Sequence, residues 1–207
     1  MPMLDLRAQA RGLAPQLPLV PSSRELQVVA QQTWRGRMIN EHTSAAVFVG
    51  LAKQLQTLSE QGTGLVTPTH VEACEGFARE ERRHGVLCGA VVEALGGEAV
   101  GQVREQDPFP VHSDVPVAEA VARNLLSISC LSETVAVSLI GAEREEMPEG
   151  ELHDLLTQIW SDEIGHARFG WRLLGDIIRV GGIEERWRLH VYLRLAFGHL
   201  EQHELAH

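Results

Sequence analysis

Helix start and stop signals are the feature that most constrains this chain, because they divide nearly all of it into long helical segments. Ser22 and Glu25 have the spacing of a capping box, and Pro68 stands where a first helical residue would. The pairs Gly96-Gly97 and Gly181-Gly182 are typical of helix ends. Alternating apolar and polar runs, which would predict strands, are nearly absent. The chain is therefore predicted to be all-α.

Five helical segments and one long loop follow from these signals. The segments are predicted at about 22–58, 67–95, 114–146, 148–180 and 183–204. Short loops join antiparallel neighbours, whereas the long loop between the second and third segments can carry the chain across a bundle. We therefore predict a four-helix bundle with one long crossover between helices 2 and 3 and a short fifth C-terminal helix. Its parts are a Pro-rich N-terminal arm (1–21), the bundle (22–180) and the C-terminal helix packed on it (181–207).

Charge and cysteine content exclude several classes of function. Lys+Arg is 18 and Asp+Glu is 28, so the net charge is −10, which makes nucleic acid an unfavourable partner. Three scattered cysteines form no CxxC pair, which excludes a zinc finger and favours a reducing, cytoplasmic location. No run approaches the ~20 apolar residues of a membrane span, and the N-terminus lacks the apolar core of a secretory signal.

Two Glu-x-x-His motifs carry the chemistry of this chain. They are Glu81 with His84 in FAREERRHGVLC and Glu163 with His166 in IWSDEIGHARFGW. The spacing i, i+3 places both side chains of a motif on one helix face, one turn apart. The motifs occur in the second and fourth predicted helices, so each helix can present a carboxylate and an imidazole together.

The first and third predicted helices each offer a single glutamate on an apolar face. The residues on the face of Glu41 are Met38, Ala45 and Phe48. Those on the face of Glu133 are Leu126, Cys130, Ala136, Val137 and Ile140. A carboxylate on such a stripe is expected to point into the core, where an uncompensated charge is costly.

Two divalent metal ions would compensate these acids together. Four carboxylates contribute −4, two divalent ions contribute +4, and two neutral imidazoles complete the ligand set. Oxygen and imidazole ligands without a thiolate suit iron or manganese better than a closed structural zinc site. The candidate metal ligands are Glu41, Glu81, His84, Glu133, Glu163 and His166.

This set of residues resembles the ferritin-like di-iron carboxylate superfamily. The resemblance rests on Glu41, EERRH at 80–84, Glu133 and DEIGH at 162–166, and it covers about residues 24–180. One Glu-x-x-His motif is a weak signal, but two in this order, each preceded by a helix with a core-facing glutamate, are a strong one. The resemblance implies a ferritin-like bundle that holds two iron ions (Fe²⁺/Fe³⁺), and the same ligands also suit a mixed manganese/iron pair.

The residues before the ligand glutamates belong to the same resemblance. In oxygenase-type members an acid at this position hydrogen-bonds a ligand histidine, and it thereby fixes the orientation of the imidazole. Asp162 and Glu80 occupy these positions here. Glu80 lies in a charged run, so an exposed salt bridge explains it equally well.

Aromatic and small residues near the motifs are candidates for lining a pocket for an organic substrate. Aromatic residues at helical spacing are also typical of ordinary cores, and small residues also permit close helix packing, so the sequence leaves both explanations open. The candidates are Trp34, Phe48, Phe77, Ser129, Cys130 and Trp160.

The function that the resemblance implies is an oxidoreductase that uses O₂ and an external electron donor to oxidise a small organic molecule. The alternatives in the superfamily are a ferroxidase or iron-storage protein and a rubrerythrin-like peroxidase. Bacterioferritin-like chains have little sequence before helix 1, and the second iron site of rubrerythrin needs four cysteines. We therefore expect an enzyme that is a monomer or a homodimer.

Overall fold

The computed structural model describes residues 2–18, 23–103 and 108–206, with side chains described up to residue 202. Most of these residues are helical, in agreement with the all-α prediction. The elements are β1 (Met3–Asp5), α1 (Arg7–Ala10), a 3₁₀ turn (Arg11–Leu13), α2 (Arg24–Glu60), α3 (Pro68–Ala94), β2 (Val100–Gln102), α4 (Val117–Leu125), a π-helical segment (Leu126–Ser132), α5 (Glu133–Glu146), α6 (Glu151–Val180) and α7 (Ile183–Ala206).

The helix boundaries largely follow the predicted signals. α3 begins at Pro68, and Gly96 adopts φ +78 just beyond the end of α3, in the left-handed region that glycine tolerates. The predicted capping residue Ser22 lies outside the described residues. At the start of α2, the Oγ of Ser23 accepts a hydrogen bond from the N–H of Leu26 at 3.2 Å.

A short antiparallel strand pair is one part of the fold that the sequence does not predict. β1 pairs with β2 in the register Met3↔Gln102, Leu4↔Gly101 and Asp5↔Val100. Part of the predicted extended arm is thus a strand followed by helical turns. Gly101 is buried, and a Cβ there would lie 2.6 Å from Cδ1 of Ile39, so glycine lets the strand approach α2. Strands of three residues are too short to show a period-2 pattern.

The third predicted helix is interrupted by a π-helical segment, Leu126–Ser132. The N–H of Glu133 donates to the carbonyl of Ile128, five residues earlier, and the Oγ of Ser132 donates to the carbonyl of Ser127 at 3.0 Å. An i→i+5 turn adds a residue to the repeat and rotates the side chains that follow it. Residues before and after this segment therefore do not share a face at α-helical spacing, and the predicted common face of Leu126 and Glu133 is not preserved.

The loop before α4 is held by contacts with α2 and α4. The ring of Phe109, which stands between two prolines, occupies the space where a Cβ on Gly50 would lie. Asn124 donates from Nδ2 to the carbonyl of Pro110 at 2.8 Å and to Oε1 of Gln54 at 2.9 Å. The end of the long loop is therefore fixed to α2 and α4.

The described backbone divides into two compact units, each with its own apolar core. The first comprises Met1–Ala46, Ala78–Pro108 and Ile140–Ile159, and the second comprises Val47–Phe77, Phe109–Leu139 and Trp160–His207. The core of the first includes Trp34, Met38, Cys88, Val91, Leu152 and Leu156. The core of the second includes Phe48, Leu51, Leu55, Leu125, Cys130 and Leu173.

One helical stretch, Val117–Glu146, is long and apolar enough to cross a membrane by length and composition alone. Its most apolar window has a mean hydropathy of 1.7 and is 33% buried. A single such helix is weak evidence, because buried core helices pass the same test. The stretch also carries Glu133, which is 8% exposed. The absence of a membrane span stays a prediction.

Candidate metal centre

The first compact unit contains a cluster of two glutamates and one histidine. Glu41 lies on α2, and Glu81 and His84 lie on α3. Glu81 is 2% exposed and His84 is fully buried. Nδ1 of His84 lies 3.6 Å from Oε2 of Glu41, and one ligand atom from each residue lies within 4.8 Å of the others. The three side chains therefore converge on one buried point, and they could hold a metal ion.

The second compact unit contains an equivalent cluster. Glu133 is the first residue of α5, and Glu163 and His166 lie on α6. All three are buried. Nδ1 of His166 lies 3.0 Å from Oε2 of Glu163 and 3.6 Å from Oε2 of Glu133, and the ligand atoms again lie within 4.8 Å of one another. This cluster, too, could hold a metal ion.

The two clusters are built by the same local rule. In each, a Glu-x-x-His motif supplies one carboxylate and one imidazole from neighbouring turns of a helix, and the preceding long helical stretch supplies the other carboxylate. In both, the ring nitrogen that faces the carboxylates is Nδ1. Glu133 directly follows the π-helical segment, and the extra residue in that turn changes the direction in which its side chain points.

The chemistry of the donor set fits a hard or borderline metal ion. Each cluster supplies carboxylate oxygens and one imidazole nitrogen, which are ligands typical of iron, manganese and zinc sites. Buried carboxylates are costly without a compensating positive charge. A cation bound among them would supply that charge.

Among the residues that the structure describes, neither group of side chains that could hold a metal ion includes a cysteine. Burial raises the pKa of the Cys130 thiol to about 12. Burial also raises the pKa of the Cys74 thiol to about 12, although the charge of His166 acts in the opposite direction. Both thiols are therefore protonated at neutral pH when no metal is bound, and a protonated thiol is a poor nucleophile.

Aromatic rings surround the histidine of the second cluster. The His166 ring lies 5.2 Å from the ring of Phe48 and 4.4 Å from that of Phe77, centroid to centroid. Phe169, which the sequence analysis did not select, lies 5.2 Å from Phe77 and 6.0 Å from the ring of His70. Its position three residues after His166, on the same helix face, is the signal that could have found it. These rings keep water away from one side of His166.

The two candidate tryptophans have specific packing partners. Trp34 is buried, and the guanidinium of Arg37 lies 4.9 Å from its ring centroid. Trp160 is half-buried, and its Nε1 donates to the carbonyl of Val137 at 3.1 Å. These contacts explain both residues as helix packing, and their role in a substrate pocket stays a prediction.

The small residues Ser129 and Cys130 lie in the π-helical segment and are fully buried. A Cβ on Gly170 would clash with Cβ of Ser129, so this part of α6 approaches the segment closely. For Ser129, the structure favours close helix packing over an open pocket. The Oγ of Ser129 has no hydrogen-bond partner among the residues that the structure describes.

The acids that precede the ligand glutamates, Glu80 and Asp162, are both half-buried. Each adjoins a residue of a metal-binding cluster in the chain. Their predicted hydrogen bonds to the ligand histidines stay predictions.

The comparisons with known proteins assign no family. No protein-family model, no curated protein and no solved structure matches this chain. A mostly helical chain with buried Glu/His clusters is compatible with a ferritin-like fold. The likeness to that superfamily therefore rests on the candidate ligands and on the order of the helices that carry them.

Proposed function

We propose that the two clusters form one dinuclear metal centre in a ferritin-like four-helix bundle. Its ligands would be the six side chains of the two clusters: Glu41, Glu81, His84, Glu133, Glu163 and His166. The observation that carries the proposal is the equivalence of the clusters, in each of which Nδ1 of the histidine lies 3.6 Å from a glutamate of another helix. Equivalent half-sites are the expected products of two helix pairs with the same acidic pattern.

The charge of the ligands supports two divalent ions. Four carboxylates and two neutral imidazoles carry −4, which two divalent ions neutralise. We propose iron for both positions, and a manganese/iron pair is compatible with the same donors. The ligands would be oxygen and nitrogen donors, because among the described residues the candidate groups contain only glutamates and histidines.

The proposed activity is O₂-dependent oxidation of a small organic molecule. A bound pair of redox-active ions supplies electrons to O₂ in such a centre. The chain's own contribution would be to hold the ions with carboxylates and imidazoles, and to exclude water from one side of His166 with Phe48 and Phe77.

Iron loading under controlled oxygen tests this proposal against the alternatives. The metal-free protein is titrated with Fe²⁺ without oxygen, and O₂ uptake and particle mass by light scattering are then measured. We expect a monomer or dimer that binds about two irons per chain and consumes O₂ for about one turnover without substrate.

Three other outcomes would redirect the assignment. A very large assembly that accepts tens of irons per chain would favour storage. Sustained turnover with hydrogen peroxide and a reductant would favour a rubrerythrin-like peroxidase. Binding of one iron or none would reject the dinuclear centre.

A further inference from the structure

An exposed tryptophan is hydrogen-bonded to the helix that carries a proposed ligand. Trp171 lies on α6, and 49% of it is exposed. Its Nε1 donates to Oγ1 of Thr134 at 3.1 Å, and Thr134 in turn donates to the carbonyl of Cys130. Thr134 directly follows Glu133 in the chain. The path from the surface ring to the proposed ligand is therefore one hydrogen bond and one peptide unit.

Two exposed arginines lie on α6 close to Trp171 in the chain, although the chain as a whole carries −10. Arg168 lies one turn before Trp171, on the same helix face. Arg172 directly follows Trp171, about 100° further around the helix, and shares a face with Arg168. Thr134 and Ser138, on the facing part of α5, are exposed and uncharged. We call these five residues the tryptophan patch.

The proposed oxidation needs electrons from outside the chain. Insertion of one oxygen atom into a C–H bond follows RH + O₂ + 2e⁻ + 2H⁺ → ROH + H₂O. Complete reduction of O₂ takes four electrons, and the substrate supplies two of them. The other two must come from a reductant. The chain's three cysteines are too few to bind the four-thiolate iron–sulfur cluster that would store them.

We propose that the tryptophan patch is the docking site of a small acidic protein that carries one electron at a time. This proposal rests on the proposed oxidase function. The chain as a whole is negatively charged and repels an acidic carrier, but the arginines of the patch attract it locally. The exposed ring supplies the apolar centre of the contact. Two reduced carriers, each oxidised by one electron, deliver the pair that one turnover consumes.

Binding to the full-length protein tests the docking surface without any turnover. Titration calorimetry with a plant-type [2Fe–2S] ferredoxin is carried out at about 20 mM and about 200 mM salt, where electrostatic screening differs strongly. We expect Arg172→Gln to weaken binding about fivefold at low salt and to reduce its salt dependence. Arg194→Gln, which removes an exposed charge from α7, is the matched control and should leave binding unchanged. Equal effects of both variants, or no binding to the wild-type protein, would overturn the docking site.

Carrier-driven electron delivery tests the role of the ring itself. Without oxygen, we measure the rate at which the oxidised, iron-loaded protein oxidises reduced ferredoxin, and we divide it by the rate at which dithionite reduces the same protein. Trp171→Phe keeps an aromatic ring but removes the hydrogen bond to Thr134, and we expect this ratio to fall about tenfold. Trp187→Phe changes another exposed tryptophan and should keep the ratio. An unchanged ratio in Trp171→Phe would overturn the proposed path.

The two proposals fail in different ways. Ferredoxin that binds at the patch but is never oxidised by the iron-loaded protein would reject the oxidase function and leave the docking surface supported. O₂ consumption by iron-loaded protein that has been reduced and then freed of excess dithionite, without ferredoxin binding, would support the oxidase function and reject the docking surface.

Discussion

Each buried histidine pairs with a glutamate of another helix, and this pairing gives every candidate ligand a testable role. Glu81 is 2% exposed and belongs to the motif of α3. Its carboxylate could hold a metal ion together with Glu41 and His84, so the loss of this carboxylate should weaken metal binding.

We predict that Glu81→Ala lowers the bound metal from about two ions per chain to one or none. The carboxylate supplies a ligand atom and one of the negative charges that the ions neutralise. Metal analysis after dialysis measures the stoichiometry. Glu72→Ala removes an exposed glutamate from the same helix and should keep two ions. Two ions retained in Glu81→Ala would contradict the ligand assignment.

A second prediction concerns His112, in the loop before α4. Burial, and secondarily the charge of Arg123, holds the pKa of His112 below its ordinary value, although Asn124, Asp114 and Glu119 act in the opposite direction. The folded state thus favours neutral His112, while the unfolded chain binds the proton with a pKa of about 6.5. Neutral His112 therefore contributes its full stabilisation of the folded state above about pH 6.5. This stabilisation is lost as the pH falls from about 6.5 towards the lower pKa that His112 has in the folded state.

Thermal unfolding between about pH 7.5 and 5.5 checks the His112 prediction. We expect the fall in Tm to be smaller in His112→Asn than in the wild-type protein, because asparagine does not titrate in this range and tolerates the φ of +49 at this position. His190→Asn, at an exposed position on α7, should keep the wild-type slope. An unchanged slope in His112→Asn would show that other groups cause the acid sensitivity.

At the scale of the helices, the close approach of α6 to the π-helical segment depends on Gly170. We predict that Gly170→Ala destabilises the protein by about 1–3 kcal/mol, because its Cβ would clash with Ser129 in a packed core. Gly175→Ala, on the same helix, meets nothing within 4 Å and should stabilise by up to about 1 kcal/mol. Urea unfolding of both variants measures the difference. Equal stability of the two variants would contradict the packing role of Gly170.

The helices and their paired motifs are predictable because the signals are local. Pro68, Gly96 and the i, i+3 motifs act within a few residues, so reading along the sequence finds them. The π-helical segment leaves no such trace, because it differs from an α-helix only in which carbonyl each N–H bonds. The β1–β2 pair depends on partners far apart in the chain. Contacts such as Trp171 with Thr134 likewise depend on the packing of α5 against α6.

At the scale of the whole molecule, the stability of the folded state should depend on bound metal, because the candidate ligands are buried carboxylates. Without cations, the carboxylates of each cluster repel one another, and the strain is relieved by protonation or by opening of the site. The apolar cores of the two units do not need the metal, so the helices should persist without it. Metal removal is therefore expected to weaken the fold without abolishing it.

The final prediction is that the metal-free protein keeps its helical circular-dichroism spectrum but melts at a lower temperature than the loaded protein. Added Fe²⁺ or Mn²⁺ should raise Tm by mass action, with a stabilisation of about 2.7 kcal/mol for each bound ion when the free metal reaches a hundred times its Kd. Differential scanning calorimetry under anaerobic conditions measures the shift. In Glu81→Ala the same metal additions should raise Tm much less, because a ligand is missing. A Tm that does not respond to saturating metal in the wild-type protein would mean that these acids are compensated without an ion.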